Sequence, residues 1–226
     1  MNALAAPVIA IDGPSASGKG TVARRTAAAL GFHFLDSGAL YRLVALAASK
    51  RNVDLADAAA LAEVARTLNV AFGGDEAVSL DGAEVGRDIR EEWVSGAASR
   101  VAAVPAVRKA LLTRQRMFRQ PPGLVADGRD MGSVVFPDAT LKIFLTAQPA
   151  ERARRRYKQL MEKGLSASMD GLLQEIRERD ARDMERAEAP LEKCPDAIEL
   201  DTTGIDVEAA VAQILALYVE RAPKAP

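Results

Sequence analysis

The 226-residue chain carries 30 Lys and Arg against 31 Asp and Glu, a formal net charge of −1, with 49% hydrophobic and 27% charged residues. This is the make-up of an ordinary globular protein, long enough to bury one substantial core and a small inserted subdomain. Charge near balance excludes general adhesion to nucleic acid or membranes, which draws on a large basic excess, and no apolar run of about 18 residues is present to cross a bilayer.

Met1 to Pro7 lacks the basic start and long apolar stretch of a signal peptide. A lone Cys194 excludes an internal disulfide framework and points to a reducing, cytoplasmic setting. Cys194 and the single histidine, His33, are read as structural, and without a Cys/His cluster a zinc site is not expected. The tail from Ala222 to Pro226 reads as frayed.

In chain order, Val8 to Ile11 is an apolar run with the pattern of a buried parallel strand. After a glycine-rich turn, Thr21 to Leu30 reads as a helix closed by Gly31. Phe32 to Leu35 predicts a second strand, and a helix follows Asp36-Ser37-Gly38 to about Ser49. Asp54 is placed to cap another helix running to about Leu68. Asp81-Gly82, between Ala77–Leu80 and Ala83–Val85, signals a type I′ hairpin, so the stretch from about Asn69 to Ile89 reads as a small antiparallel insertion.

Helical segments then bracket Pro105 and end near Pro121-Pro122-Gly123. Leu124–Ala126, Leu141–Leu145 and Ile198–Leu200 are further strands. Helices from about Pro149 to Lys163, Met169 to Glu188 and Asp206 to Arg221 complete the chain. Strands alternating with helices predict an α/β fold with a mainly parallel sheet.

Gly13-Pro14-Ser15-Ala16-Ser17-Gly18-Lys19-Gly20-Thr21 satisfies the G-x-x-x-x-G-K core of a phosphate-binding loop, between a buried strand and a helix. Glycines let backbone N–H groups turn around phosphate oxygens, and the helix start adds positive potential. Lys19 can span the β- and γ-phosphates and offset charge spreading during transfer. Gly20 stands where the magnesium-binding hydroxyl is usual, leaving that role unassigned. Thr21, one position later, can contact phosphate, and Mg²⁺ can be held through water. Asp127, at a strand end, is placed either to orient such a water or to bond loop amides.

No Asn-Lys dipeptide occurs, which removes the usual guanine-recognition segment of a GTPase. Two arginine arrays favour transfer to a small charged acceptor instead. Arg152, Arg155 and Arg156 share a helix face, and Gly164 with Ser166–Ser168 gives a hinge, the pattern of a closing lid. Arg179, Arg182, Asp183 and Arg186 cluster at helical spacing. A solvated face of Glu/Arg pairs is the alternative for part of this helix. One carboxylate among arginines can bond a base's exocyclic amine while the arginines hold its phosphate.

Asp12–Thr21, Leu35-Asp-Ser-Gly-Ala-Leu-Tyr-Arg42, Ala126-Asp-Gly-Arg-Asp-Met-Gly132 and Arg179-Asp-Ala-Arg-Asp183, taken together, closely resemble the bacterial cytidylate kinase family, from about Pro7 to Tyr218. The resemblance implies a nucleoside-monophosphate-kinase fold: a five-stranded parallel sheet flanked by helices, an acceptor-binding region and a lid. It divides the single domain into a core (7–36, 124–150 and 195–221), an acceptor region with the antiparallel insertion (about 37–123) and a lid (about 152–188).

It further implies phosphorylation of CMP, and of dCMP, by ATP with Mg²⁺, in a cytoplasmic monomer without polymeric nucleic acid or membrane partners. Ser37, Arg108 and Asp183 would face cytosine, with Ser99 nearby. Arg129 and Asp130 would bear on the acceptor nucleotide, Asp130 at its sugar. Arg179 and Arg186 would hold its phosphate, while Tyr41 and Arg42 line the cleft. Apart from the resemblance, Arg156 is read as a lid arginine that assists Lys19 by charge neutralisation, and Arg152 as stacking on adenine, with the backbone of Thr202-Thr-Gly204 at its edge.

Each residue has a plainer alternative: Ser37 as a helix cap, Tyr41 as core, Arg42 as a surface cation, Asp130 as a local partner of Arg129. Trp93 reads as packing. A kinase for another acceptor, such as UMP or a small alcohol, and a nucleotide-gated binding module are the rival functions. The module needs one nucleotide site, where two arginine arrays point to two.

Overall fold

A computed structural model of the chain describes residues 6–73, 77–162 and 164–222. The expectations for Met1–Ala5, for Lys163 and for the tail beyond Ala222 lie outside them. The chain begins β1 (Val8–Asp12), α1 (Lys19–Leu30), β2 (His33–Asp36), α2 (Ser37–Lys50) and α3 (Ala58–Arg66). It continues β3 (Val70–Phe72), β4 (Val78–Leu80), β5 (Ala83–Glu84), a 3-10 turn at Asp88–Arg90, α4 (Glu92–Val101) and α5 (Pro105–Arg116). Next come β6 (Leu124–Gly128), a π-helical turn at Met131–Val135, β7 (Leu141–Thr146), α6 (Pro149–Glu162), α7 (Met169–Met184), β8 (Ile198–Asp201) and α8 (Val207–Arg221).

Two compact units result, one formed by residues 1–35 with 116–226 and the other by 36–115. The first is built on a five-stranded parallel sheet in the order β2-β6-β1-β7-β8. β1 is its centre, paired with β6 in the register Val8↔Leu124 and with β7 in the register Ile9↔Leu141. Every residue of β1 and β6 is buried, which is why Val8–Ile11 and Leu124–Ala126 read as unbroken apolar runs.

Ile9, Ile11, Val125, Ile143, Leu145 and Leu200 pack with Val22, Ala23 and Ala27 of α1 and Ala210 and Ile214 of α8 in one apolar cluster. α1 stops where expected: Gly31 adopts the left-handed conformation and its N–H closes the last turn.

The second unit holds the antiparallel sheet β3-β4-β5. β4 and β5 join through Asp81 and Gly82, both at positive φ (52° and 85°), as a type I′ turn requires. β3 was not foreseen; it pairs with β4 in the register Val70↔Leu80.

Three sequence expectations are corrected. Asp57, not Asp54, caps α3, its carboxylate accepting from the Ala60 amide, while Asp54 closes a preceding turn onto Ala56. Asp36, not Ser37, caps α2 by accepting from Ala39. Helix α7 ends at Met184 rather than Glu188, so Arg186 lies beyond it.

Candidate functional site

β1 lies between β6 and β7, so the loops leaving the carboxyl ends of adjacent strands gather at the sheet's centre, where open α/β sheets bind ligands. The glycine-rich loop leaves β1 there. Gly13 is forced: a Cβ would stand 2.0 Å from the Leu145 carbonyl oxygen, at a φ of 153°. The loop carries further positive φ angles at Ala16 (57°) and Gly18 (91°).

Gly18 is the N-cap of α1 and offers no side-chain acceptor, and the first turn holds no acidic residue. The leading amides of α1 are thus left to an external anion, with the helix's positive end behind them. Lys19 opens that turn. It is 7% exposed and its Nζ donates to the Pro14 carbonyl at 3.0 Å, folding the ammonium across the loop. Thr21 is exposed on the same turn.

The loop after β6 meets this cradle from the neighbouring strand. Asp12, the last residue of β1, accepts from the Met131 and Gly132 amides, one on each carboxylate oxygen, at 2.8 Å each. Arg129 and Asp130 are thereby held next to the cradle, and both Arg129 and Asp127 act electrostatically on Lys19. Arg129 Nε donates to Asp183 on α7 at 2.8 Å. Burial works to raise Asp183, but Arg129, Arg179 and Arg186 hold its carboxyl below the usual range. Arg129, in turn, is raised by Asp183 against its own desolvation. Asp130 is buried.

Arg152 is buried, with its guanidinium on the Ala147 and Ser15 carbonyls and on Asp180. Arg155, read from the sequence as part of the lid face, clamps the loop: Nη1 donates to the Ser17 carbonyl at 2.9 Å and Nη2 to the Thr202 carbonyl at 2.6 Å. Glu151 accepts from Arg155 Nε, and the Thr202 hydroxyl lies within hydrogen-bond reach of the Ser17 and Thr146 carbonyls, its one proton serving one of them at a time. Arg156 is half-buried on α6. Ser17, inside the loop, is 1% exposed.

The second unit holds the other expected residues. The Arg108 guanidinium lies over the Tyr41 ring at 5.6 Å from its centroid and donates to the Ala102 carbonyl. Arg42 is ion-paired with Asp36 at 2.6 Å. Ser37 and Ser99 are buried at 4% and 7% exposure.

The fit for magnesium turns on Gly20. A Cβ there would meet Asp127 Oδ2 at 3.1 Å, so the missing side chain makes room for a buried carboxylate beside Lys19. Among the described residues no group of three or more His, Cys, Asp or Glu is placed to hold a metal. One hard oxygen donor beside a phosphate cradle suits Mg²⁺, which keeps most of its waters and takes phosphate oxygens.

A lysine-bearing phosphate loop at the switch point of a parallel sheet, faced by arginine-bearing helices, defines a P-loop kinase. A family model described as cytidylate kinase matches residues 9–220, and the chain belongs to that family. It is 57% identical over 214 residues to the cytidylate kinase of Nitrosomonas europaea, covering 95% of this chain and 96% of that one. It is 60% identical over 211 residues to that of Bordetella pertussis, covering 93% and 94%. Among solved structures, an uncharacterized protein from Eubacterium ventriosum matches with a TM-score of 0.50 at 14% identity, covering 95% of this chain and 99% of that one, a likeness of fold alone.

Proposed function

We propose that this chain transfers the γ-phosphoryl group of ATP to CMP, giving CDP and ADP. Membership of the cytidylate kinase family supports the reaction. The observation that carries the chemistry is the uncapped start of α1 under a loop crossed by the buried Lys19 ammonium.

An ionised oxygen of the CMP phosphate forms the new bond to the γ-phosphorus while the bond from that phosphorus to the β,γ-bridging oxygen breaks, its electrons leaving on ADP. The acceptor oxygen is already deprotonated at neutral pH, so no strong base is needed. Catalysis is alignment and charge neutralisation. In this reading residues 13–21 cradle the donor phosphates, Lys19 spans the bond that breaks, and Arg156 closes on the transferring group.

On the acceptor side, Asp183, with Ser37 and Arg108, reads cytosine, and Ser99 lies by it. Arg179 and Arg186 hold the CMP phosphate, Asp130 the sugar, and Arg129, Tyr41 and Arg42 line the site. The cluster of Arg129, Arg179 and Arg186 around one carboxylate supports the assignment for α7. Asp127 would hold Mg²⁺ through water, an ion that would supply screening of the β- and γ-phosphate charge. Arg152 serves the donor side through the loop it buttresses, since its guanidinium is committed to Ser15, Ala147 and Asp180.

The reading extends to dCMP as a second acceptor, to residues 152–188 as the lid, and to a cytoplasmic monomer. The single buried Cys194 supports the reducing compartment; among the described residues no helix is long and apolar enough to cross a membrane.

Incubation with ATP, Mg²⁺ and a panel of CMP, dCMP, UMP and small alcohols tests this directly. CMP-dependent appearance of CDP and ADP is expected, and transfer to an alcohol with none to CMP refutes it.

A further inference from the structure

We propose that Asp180 is a positioning residue for phosphoryl transfer: from α7 it fixes the shape of the phosphate loop through Arg152 and Ser15. This rests on reading that loop as the ATP cradle.

Arg152 is 4% exposed, and each of its guanidinium nitrogens is used. Nε donates to the Ala147 carbonyl at 3.0 Å, Nη1 to the Ser15 carbonyl at 3.1 Å, and Nη2 pairs with Asp180 Oδ2 at 2.7 Å. The other carboxylate oxygen, Oδ1, accepts from Ser15 Oγ at 3.5 Å. One carboxylate and one guanidinium thus hold Ser15 by its hydroxyl and its carbonyl.

The next residue, Ala16, has a φ of 57°, a costly conformation for alanine. It packs on the cluster of Ala153, Leu160, Leu172 and Ile176 that joins α6 to α7. The shoulder of the loop therefore keeps its shape only while α7 is seated against it.

Asp180 lies one helical turn before Asp183, on the same face of α7. Asp183 pairs with Arg129, and Asp180 pairs with Arg152 at the donor loop. A guanidinium cannot shed its proton, so removing Asp180 leaves a buried positive charge without its counter-ion. The loop carbonyl that Arg152 holds must then shift with it. A pair that only stabilised the fold would leave both nucleotides' KM values alone; this one is placed to act on the donor.

The test uses the full chain with Asp180→Ala, Asp180→Asn and Asp180→Glu, measuring kcat, KM for ATP, KM for CMP, Tm and binding of a fluorescent ATP analogue. Asp180→Ala is expected to raise KM for ATP about tenfold while KM for CMP moves less than about twofold, with Asp180→Glu recovering most of the loss. Asn keeps a partner for Arg152 and for Ser15 but not the charge. Asp180→Asn should therefore shift ATP in the same direction by about threefold, and it carries the test if the Ala variant does not fold. A lowered Tm with both KM values unchanged, or a parallel rise in both, overturns the proposal. The unsubstituted chain is assayed for CDP alongside, which separates failure of this proposal from failure of the activity itself.

Discussion

Burial and the neighbouring Arg129 push the Lys19 ammonium down to about 7, with Asp127 acting against them. A polyphosphate laid across the loop brings the opposite charge to the same place and must raise it. Above pH 7 the free protein holds Lys19 largely neutral, so nucleotide binding there takes up a proton, and ATP affinity falls as pH climbs. Titration calorimetry at pH 8, in buffers of different ionisation heat, should record uptake of about one proton per ATP bound, and none in Lys19→Met. Turnover of that variant should fall by about a hundredfold or more. Proton uptake equal in the two proteins would mean that another group titrates.

Asp183 sits at the opposite pole. Its charge is secured by Arg129, Arg179 and Arg186, leaving it an acceptor at any working pH. An ionised carboxylate suits the amino group of cytosine and repels the carbonyl oxygen that uracil has in its place. Asp183→Ala should raise KM for CMP by about tenfold or more, narrow the CMP-over-UMP preference, and change KM for ATP far less. Equal losses for both nucleotides would make Asp183 only a counter-ion for Arg129.

At the scale of elements, what holds the site is a set of ties between segments far apart in sequence. The fork from Asp12 to the Met131 and Gly132 amides spans 119 and 120 residues and anchors the π-helical turn just after Arg129 and Asp130. Asn at this position has one acceptor oxygen, and its amide nitrogen would face a backbone N–H. Asp12→Asn should therefore loosen that turn and raise KM for CMP more than KM for ATP. Unchanged CMP kinetics would show that the turn is held by other contacts.

The same contrast explains what the sequence disclosed. The glycine loop, Lys19, the Asp81-Gly82 hairpin and the strands of the sheet were legible because each is a local pattern: a spacing, a turn pair, an apolar run. The α3 cap was misplaced because Asp54 and Asp57 are both competent acceptors a turn apart, and only the surrounding packing chooses. Arg186 was placed on a helix that ends two residues before it. Asp180 drew no reading, and Arg155 and Thr202 were read for a lid face and an adenine edge. Their partners, Ser15 and Arg152 for Asp180, and the loop backbone with each other for Arg155 and Thr202, lie across separations no periodicity encodes. One signal was available for Asp180: its three-residue offset from Asp183 puts both on one face.

For the molecule as a whole, two buried groups at the loop titrate near neutrality in opposite senses. Burial raises Asp12 to about 7 against the amide donors of Gly132 and Met131, with Asp130 and Asp127 adding to the rise. The folded state then binds a proton that the unfolded chain has released above about 4. Asp12's favourable contribution is complete below about 4 and is lost as pH rises through 7. Lys19 runs the other way: the unfolded chain keeps its proton up to about 10.5, so the cost of burying the ammonium is full below 7 and is lifted between 7 and 10.5. Together the two place the least favourable balance near pH 7, where the site has to work.

A loop built to receive phosphate is thus strained by its own charges until the ligand arrives. Thermal unfolding of the nucleotide-free chain should show Lys19→Met melting several degrees above the parent at pH 6–7, a gain that shrinks as pH approaches 10. Saturating ATP should erase or reverse the difference, because only the parent gains from the phosphate. A Lys19→Met chain that melts at or below its parent at pH 7 without nucleotide would show that the ammonium is already compensated within the fold, and the strain would have to be sought elsewhere in the loop.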